Sequence, residues 1–342
     1  GMTVRLESRC GSITARLQTD DAMRRDCVVA ERGGWAKAGH GLNRLTADLV
    51  STVGDGTPYY DTSVRIVPGP DEIVVLVVQH SDLAPGGIFC RTLEQHGARL
   101  QLIKPSQGDP LPETSAGFDA MLVLGGPQHA GDDRTNPHFP ALLELLRRFD
   151  AEHKPVAGIC LGCQLLARAF GGVPKKLDYL EFGFTPLTLS ERGATDPLLD
   201  FQPPPPLMEF HEDSFSLPAE ASLLVTGDSC QHQCFKVGNC AYGFQFHLEV
   251  DHDTASNWLT MMRSGQAGPY DRYRRQFDKH NLEEMAHSLP GDLQLSIRYC
   301  AEVARRWLAL SSSRPPRITV GDRKDDTTNG TGQQTTATEG TP

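Results

Sequence analysis

A doubly wound α/β domain with a mostly parallel sheet, preceded by a small β-rich zone and followed by C-terminal helices, is the fold this sequence predicts. Three observations predict it. The run "IVVLVVQ" (73–79) is continuously apolar and β-branched, as strands buried on both faces of a parallel sheet are. After it, strand and helix patterns alternate, which implies right-handed βαβ crossovers. Finally, "KPVAGICLGCQLLARAFGG" (154–172) carries an apolar strand through a glycine-flanked turn into an amphipathic stretch.

The elements follow in order. "TVRLES" and "SITARLQT" alternate apolar and polar residues around "RCGS", which reads as a β-hairpin. "VPGPDE" (67–72) is rich in turn formers and reads as a linker. Past it, "GIFCRTLEQHG" reads as a helix closed by Gly97, "ARLQLIK" and "DAMLVLGG" as strands, "FPALLELLRRFDAEHK" as a helix and "PVAGIC" as a strand entering a further helix. "DTASNWLTMMRS" and "LQLSIRYCAEVARRWLALS" place apolar residues at helical spacing and are expected to cover the sheet. From Ser311 onward large apolar side chains almost vanish, so nothing repays the entropy of ordering that tail. The expected divisions are a β zone over 2–70, an α/β domain over 72–310 and a disordered tail over 311–342.

Composition narrows the function classes. The net charge of -10 and the lack of a Lys/Arg block argue against nucleic acid or an anionic membrane as main partner. No apolar run approaches the roughly 18 to 20 residues that span a bilayer, and the start has no signal-peptide pattern. Nine scattered cysteines fit a reducing compartment better than a disulfide framework, so a cytoplasmic location is expected.

In a doubly wound sheet the site lies at the carboxyl ends of the strands, where Cys160 stands. A nucleophile on a sharp strand-to-helix turn needs small residues two before and two after it, and Gly158 and Gly162 fill those places. The helix that follows points free N–H groups and its positive dipole end at the sulfur, which favours a thiolate. Three alternatives stand beside this. Cys160 and Cys163 form a CxxC spacing, but the candidates for a second metal pair, Cys230, His232, Cys234 and Cys240, are irregularly spaced, so no metal is expected. A thioredoxin-like redox pair would need its CxxC at a helix start after the first strand of a small fold, and this one comes deep in the domain. Both cysteines are also compatible with small core side chains. In "YGFQFHLEV" (242–250), read as an extended strand, Gln245, His247 and Glu249 share one face. His247 and Glu249 then stand about 7 Å apart at the backbone, within reach for a carboxylate to orient an imidazole. "LVLGGPQH" (122–129) ends a strand in Gly125 and Gly126, which allow backbone N–H groups close to a ligand or simply make a tight turn.

The motifs "LGGPQ", "GICLGCQLLA", "EFG" (181–183), "EFHEDSFSLP" (209–218) and "YGFQFHLEV" together resemble the class I glutamine amidotransferase domains, whose fold is flavodoxin-like, and most of all the glutaminase half of GMP synthase and its stand-alone relatives. The resemblance covers about residues 72–262. It implies Cys160 as nucleophile, His247 as base and Glu249 as its partner. It also implies an oxyanion hole from the N–H groups of Gly126 and Leu161, glutamine held by Gln164 beside Gly125, and a pocket bordered by His211 and Asp213. Where the family commonly has proline between the catalytic His and Glu, this chain has Leu248, a variant also expected among stand-alone relatives; the aromatic residue usual before the histidine of the "H-x-D" segment is present as Phe210.

The first zone is similar to the second half of the molybdopterin-dinucleotide-binding C-terminal domain of molybdenum oxidoreductases. The family's G-x-N-x-L-T pattern stands as Gly41, Asn43, Leu45 and Thr46. Half of that barrel is not represented, so retained cofactor binding is not expected, and the zone reads as a β-rich appendage. No cofactor is expected elsewhere either. The resemblance implies hydrolysis of glutamine through a γ-glutamyl thioester. No GxxxxGK[ST] phosphate loop is found in the sequence, so the ammonia acceptor is expected on another chain, a synthase or a molybdenum oxidoreductase, or to be lacking. A γ-glutamyl peptide hydrolase and a non-catalytic module associated with a molybdenum enzyme are the alternatives.

Overall fold

The computed structural model describes residues 2–8, 12–17, 65–68, 73–265, 268–277 and 279–313. In the N-terminal part the described residues form a three-stranded antiparallel sheet of β1 (Met2–Glu7), β2 (Ser12–Leu17) and β3 (Arg65–Pro68), with β1 in the middle. The expected hairpin is present, with Glu7 opposite Ser12 and Met2 opposite Leu17. Val67 and Pro68, read as linker, instead pair with β1, since Arg65–Pro68 finds a free strand edge there. The Gly41–Thr46 pattern and residues 314–342 of the expected tail lie outside the described residues. Residues 311–313, read as the start of that tail, belong to a short 3-10 turn with Ser311 buried.

The α/β domain is built from β4 (Val74–Val78), α1 (Gly87–Gln95), β5 (Arg99–Ile103), β6 (Ala120–Val123), α2 (Phe139–Ala151), β7 (Val156–Ile159), α3 (Leu161–Ala169), β8 (Pro174–Thr185), β9 (Leu187–Leu189), β10 (Leu207–Phe215), β11 (Ser222–Gly227), β12 (Cys234–Val237), β13 (Ala241–Phe244), α4 (His252–Ser264) and α5 (Lys279–Ala309). Its main sheet has the order β5-β4-β6-β7-β13-β12-β11-β9. The first five strands are parallel and the last three join antiparallel. β8 and β10 form a separate antiparallel pair whose register breaks between His211 and Asp213.

The two-residue period of the strands sorts their side chains onto two faces. Val75, Val77, Leu122 and Ile159 pack with Phe89 and Leu93 of α1 and with Tyr299, Val303 and Trp307 of α5. Leu76, Val78, Met121 and Val123 pack with Leu142, Leu146 and Phe149 of α2 and with Leu165 and Leu166 of α3. This is the double winding the alternation predicted, and the C-terminal helix covers the sheet as expected. The chain starts at β4, steps outward to β5 and returns on the other side to β6. That reversal opens a crevice at the carboxyl ends of the strands.

One local expectation fails. The extended strand ends at Phe244 rather than running to Val250. The Gln245 N–H donates to Gln233 O, the His247 N–H to Met208 O, and Glu249 O accepts from the Ile88 N–H at the start of α1. Three different elements thus claim successive backbone groups, and the segment bends instead of alternating.

Candidate active site

Strand β7 delivers Cys160 into a strained turn. Cys160 has φ 50° and ψ -108°, a conformation that costs a non-glycine residue on the order of 1–3 kcal/mol and persists only where the surroundings impose it. They do so through the flanking glycines. A Cβ on Gly158 would overlap the Gly162 carbonyl, and one on Gly162 would overlap the Val123 carbonyl. The Cys160 N–H donates to Phe244 O at 2.7 Å, fixing the turn to β13. Cys160 packs on one face of the sheet and Cys163 on the other. Burial pushes the Cys163 thiol well above its usual range.

His247 is brought to Cys160 by the bend after β13. Its Nδ1 lies 2.7 Å from Glu249 Oε1, and Cys160 is its neighbour in the lining of the same cleft. Because Nδ1 serves the carboxylate, Nε2 is left for the sulfur. Burial works against charge on this imidazole, but the Glu249 carboxylate and Cys160 outweigh it and raise its pKa from 6.5 to about 10. The edge of Trp258 packs against the ring at 4.8 Å between centroids, and Trp258 is itself held by an Nε1–H bond to Leu83 O. Gly125 lies against both side chains: a Cβ there would stand 3.0 Å from His247 Cε1 and 3.5 Å from Cys160 Cβ.

A cleft open to solvent lies over this pair. Leu83, Ala84, Phe210, Trp258, Met261 and Tyr270 supply its apolar wall, and Gly126, Cys160 and His247 its floor. Phe210 is the hub of that wall, meeting the tilted ring of Tyr270 at 4.8 Å and Trp258 edge-on at 5.1 Å between centroids. Leu161, the first residue of α3, has an N–H that the helix itself does not use, and its side chain approaches Gly126.

The other sequence-derived residues sit behind the cleft. Gln164 is buried, its Nε2 donating to Asp213 O and to Gln245 Oε1. Asp213 accepts from His129 at 2.7 Å. His211 Nδ1 donates to Asp213 O at 3.0 Å, and its Nε2 lies 3.0 Å from Glu181 and 3.1 Å from Glu209. None of these three is among the described residues lining the cleft. Burial opposes charge on His211, yet Glu181 and Glu209 hold its pKa well above the usual imidazole value. Burial raises Glu209 to about 7, against the pull of His211.

Sequence reasoning missed most of the wall. Ser81, Leu83 and Ala84 follow β4 and were findable, because the loop after a central parallel strand borders the crevice. Trp258, Met261 and Tyr270 reach the cleft through the packing of α4 and the segment after it, for which no local signal exists. His80 was missed too. It is a buried histidine stacked on His138 at 5.5 Å and lowered to about 3 by burial and by that neighbour.

With this geometry in view, the likenesses to known proteins agree. Residues 88–261 match the family described as Glutamine amidotransferase class-I, and residues 1–63 the Molydopterin dinucleotide binding domain. The chain is 32% identical over 176 residues to the Salmonella typhimurium protein YfeJ, named glutamine amidotransferase-like, covering 50% of this chain and 74% of that one. It is 32% identical over 168 residues to a glutamine-hydrolyzing GMP synthase subunit of Natronomonas pharaonis, covering 48% of this chain and 82% of that one. A solved glutamine amido transferase from Methylobacillus flagellatus superposes with a TM-score of 0.62 at 25% identity, covering 71% of this chain and 96% of that one.

Proposed function

The chain belongs to the class-I glutamine amidotransferase family, and from that premise we propose that it hydrolyses the side-chain amide of glutamine through Cys160, His247 and Glu249. The Cys160 sulfur attacks the amide carbon, and the N–H groups of Gly126 and Leu161 hold the oxyanion that forms. The C–N bond then breaks as His247 gives its proton to the departing nitrogen, releasing ammonia and leaving a γ-glutamyl thioester. Water, deprotonated by the now neutral His247, attacks the thioester; glutamate leaves and the sulfur is restored. Glu249 keeps the imidazole in the tautomer that presents Nε2 to the sulfur.

The observation that carries this reading is the strained positive-φ turn at Cys160 joined to a His247–Glu249 contact of 2.7 Å. Gln164, His211 and Asp213 act in it as supports of the strand behind the cleft rather than as groups touching substrate. The acceptor of the ammonia is placed on a separate polypeptide, by analogy with the Natronomonas pharaonis relative, which is named as one subunit of a synthase. The test is to incubate the full chain with glutamine, follow glutamate and ammonia, and map an electrophilic glutamine analogue by mass. Labelling of Cys160 alone, lost in Cys160→Ser, is the expected result. Cleavage of γ-glutamyl peptides in preference to glutamine would move the reading to a peptidase, and reaction of other thiols with Cys160 inert would remove the enzymatic reading.

A further inference from the structure

Strand β10 has two sides. Phe210 looks into the cleft, while Glu209 and His211 are fully or almost fully buried on the opposite side. There His211 Nε2, Glu181 and the Cys230 sulfur come within 4.8 Å of one another. His211 Nε2 sits 3.0 Å from a Glu181 oxygen and 3.1 Å from a Glu209 oxygen, yet it and both Glu209 oxygens lack a partner at hydrogen-bonding geometry. His211 Nε2 and the two Glu209 oxygens, buried without a hydrogen-bond partner beside Glu181 and Cys230, are costly unless a positive charge, the imidazolium proton or a metal ion, stands between them.

We infer that Glu181, His211 and Cys230, with Glu209 closing the set, form a structural zinc site behind the active-site strand. The donors suit the metal: imidazole nitrogen, thiolate and carboxylate are the ligands zinc takes tetrahedrally. Ligand atoms bound to one such ion at about 2.0 to 2.3 Å stand roughly 3 to 4 Å apart, and the His211 contacts already have that spacing. The support behind the ligands is also in place. His211 Nδ1 donates to the Asp213 carbonyl, which fixes Nε2 as the ligating nitrogen in the manner of metal-bound histidines, and Gln233 Nε2 holds the Glu181 carboxylate at 3.3 Å. Cys230 lies in the turn between β11 and β12, flanked by exposed Ser229 and Gln231, which gives an ion a short way in. Binding displaces the thiol proton of Cys230 and the proton shared by His211 and the carboxylates. The ion ties β8, β10 and the β11–β12 turn together, so it braces the strand whose carbonyls meet His247 and Cys160. The site is independent of the chemistry proposed for Cys160.

The test begins with the metal content of the full chain purified without chelator, followed by titration of the chelated protein with zinc alone against a competing indicator. One zinc per chain is expected, with at least about tenfold weaker binding in Cys230→Ser and unchanged binding in Cys240→Ser. Cobalt substitution should give a thiolate charge-transfer band that Cys230→Ser lacks. If Cys230→Ser does not fold, Glu181→Gln takes its place, and anomalous scattering from zinc-grown crystals reads the position directly. Zinc binding equal in the wild-type chain and Cys230→Ser, no binding at all, or an anomalous peak only elsewhere overturns the inference.

Discussion

Replacing Gly162 by alanine would drive a methyl carbon into the Val123 carbonyl oxygen, so that α3 must retreat from β6 and the Cys160 turn must open. Gly162→Ala is therefore expected to lower glutaminase kcat/KM by more than about 100-fold through misplacement of the sulfur, read by steady-state kinetics beside circular dichroism. Cys160→Ala removes the proposed nucleophile and should abolish labelling with the fold intact. Cys163→Ser, in the opposite core, should cost no more than about tenfold; equal losses at both cysteines would point to a redox or metal pair instead. His247 gives a pH signature. Its pKa is raised from 6.5 to about 10 by Glu249 and Cys160 against burial, so the folded state favours the imidazolium. Its stabilising contribution is complete below pH 6.5 and disappears as pH rises through about 10. Glutaminase kcat/KM should hold its general acid up to that region and fall beyond it, and Glu249→Gln should bring the fall to lower pH. An alkaline limb unmoved by Glu249→Gln would break the assigned roles.

Among the elements, β10 and α5 have roles that their local sequences do not announce. β10 gives Met208 O to the His247 N–H, Phe210 to the cleft and its other face to the buried histidine and carboxylates. Its register break between His211 and Asp213 lets neighbouring residues serve both sides. α5 closes the sheet face that α1 leaves open, and Trp307 is its largest fully buried side chain, packed edge-on against Phe89 at 5.6 Å. Trp307→Ala should destabilise the domain by about 3–5 kcal/mol in denaturant unfolding, with the midpoint moved and glutaminase activity retained below it. A loss of under about 1 kcal/mol would mean that α5 is an ornament on the core rather than part of it.

For the whole molecule, the part played by the N-terminal sheet can be tested directly. The proposed site draws on residues from Ser81 to Tyr270, and the first zone supplies none of its described lining. Removing residues 2–66 is expected to reduce solubility or thermal stability while leaving the labelling rate of Cys160 unchanged. The full chain should bind no molybdopterin dinucleotide, read as pterin fluorescence after acid release. Pterin that copurifies would show the likeness of residues 1–63 to that domain to be functional.

The sequence by itself determined the parallel core, because an apolar β-branched run and glycines two residues either side of Cys160 are local constraints on backbone and burial. It also brought His247 and Glu249 together, since residues two apart along the chain cannot stray beyond about 7 Å at the backbone. The conformation joining them was decided by tertiary contacts, as Gln233, Met208 and Ile88 each take a backbone group that an extended strand would have spent on one neighbour. The cleft wall and the cluster of Glu181, Glu209, His211 and Cys230 were likewise decided only by folding. Their members come from separate strands, turns and helices, and long-range packing, which no spacing along the chain encodes, is what sets the distances between them.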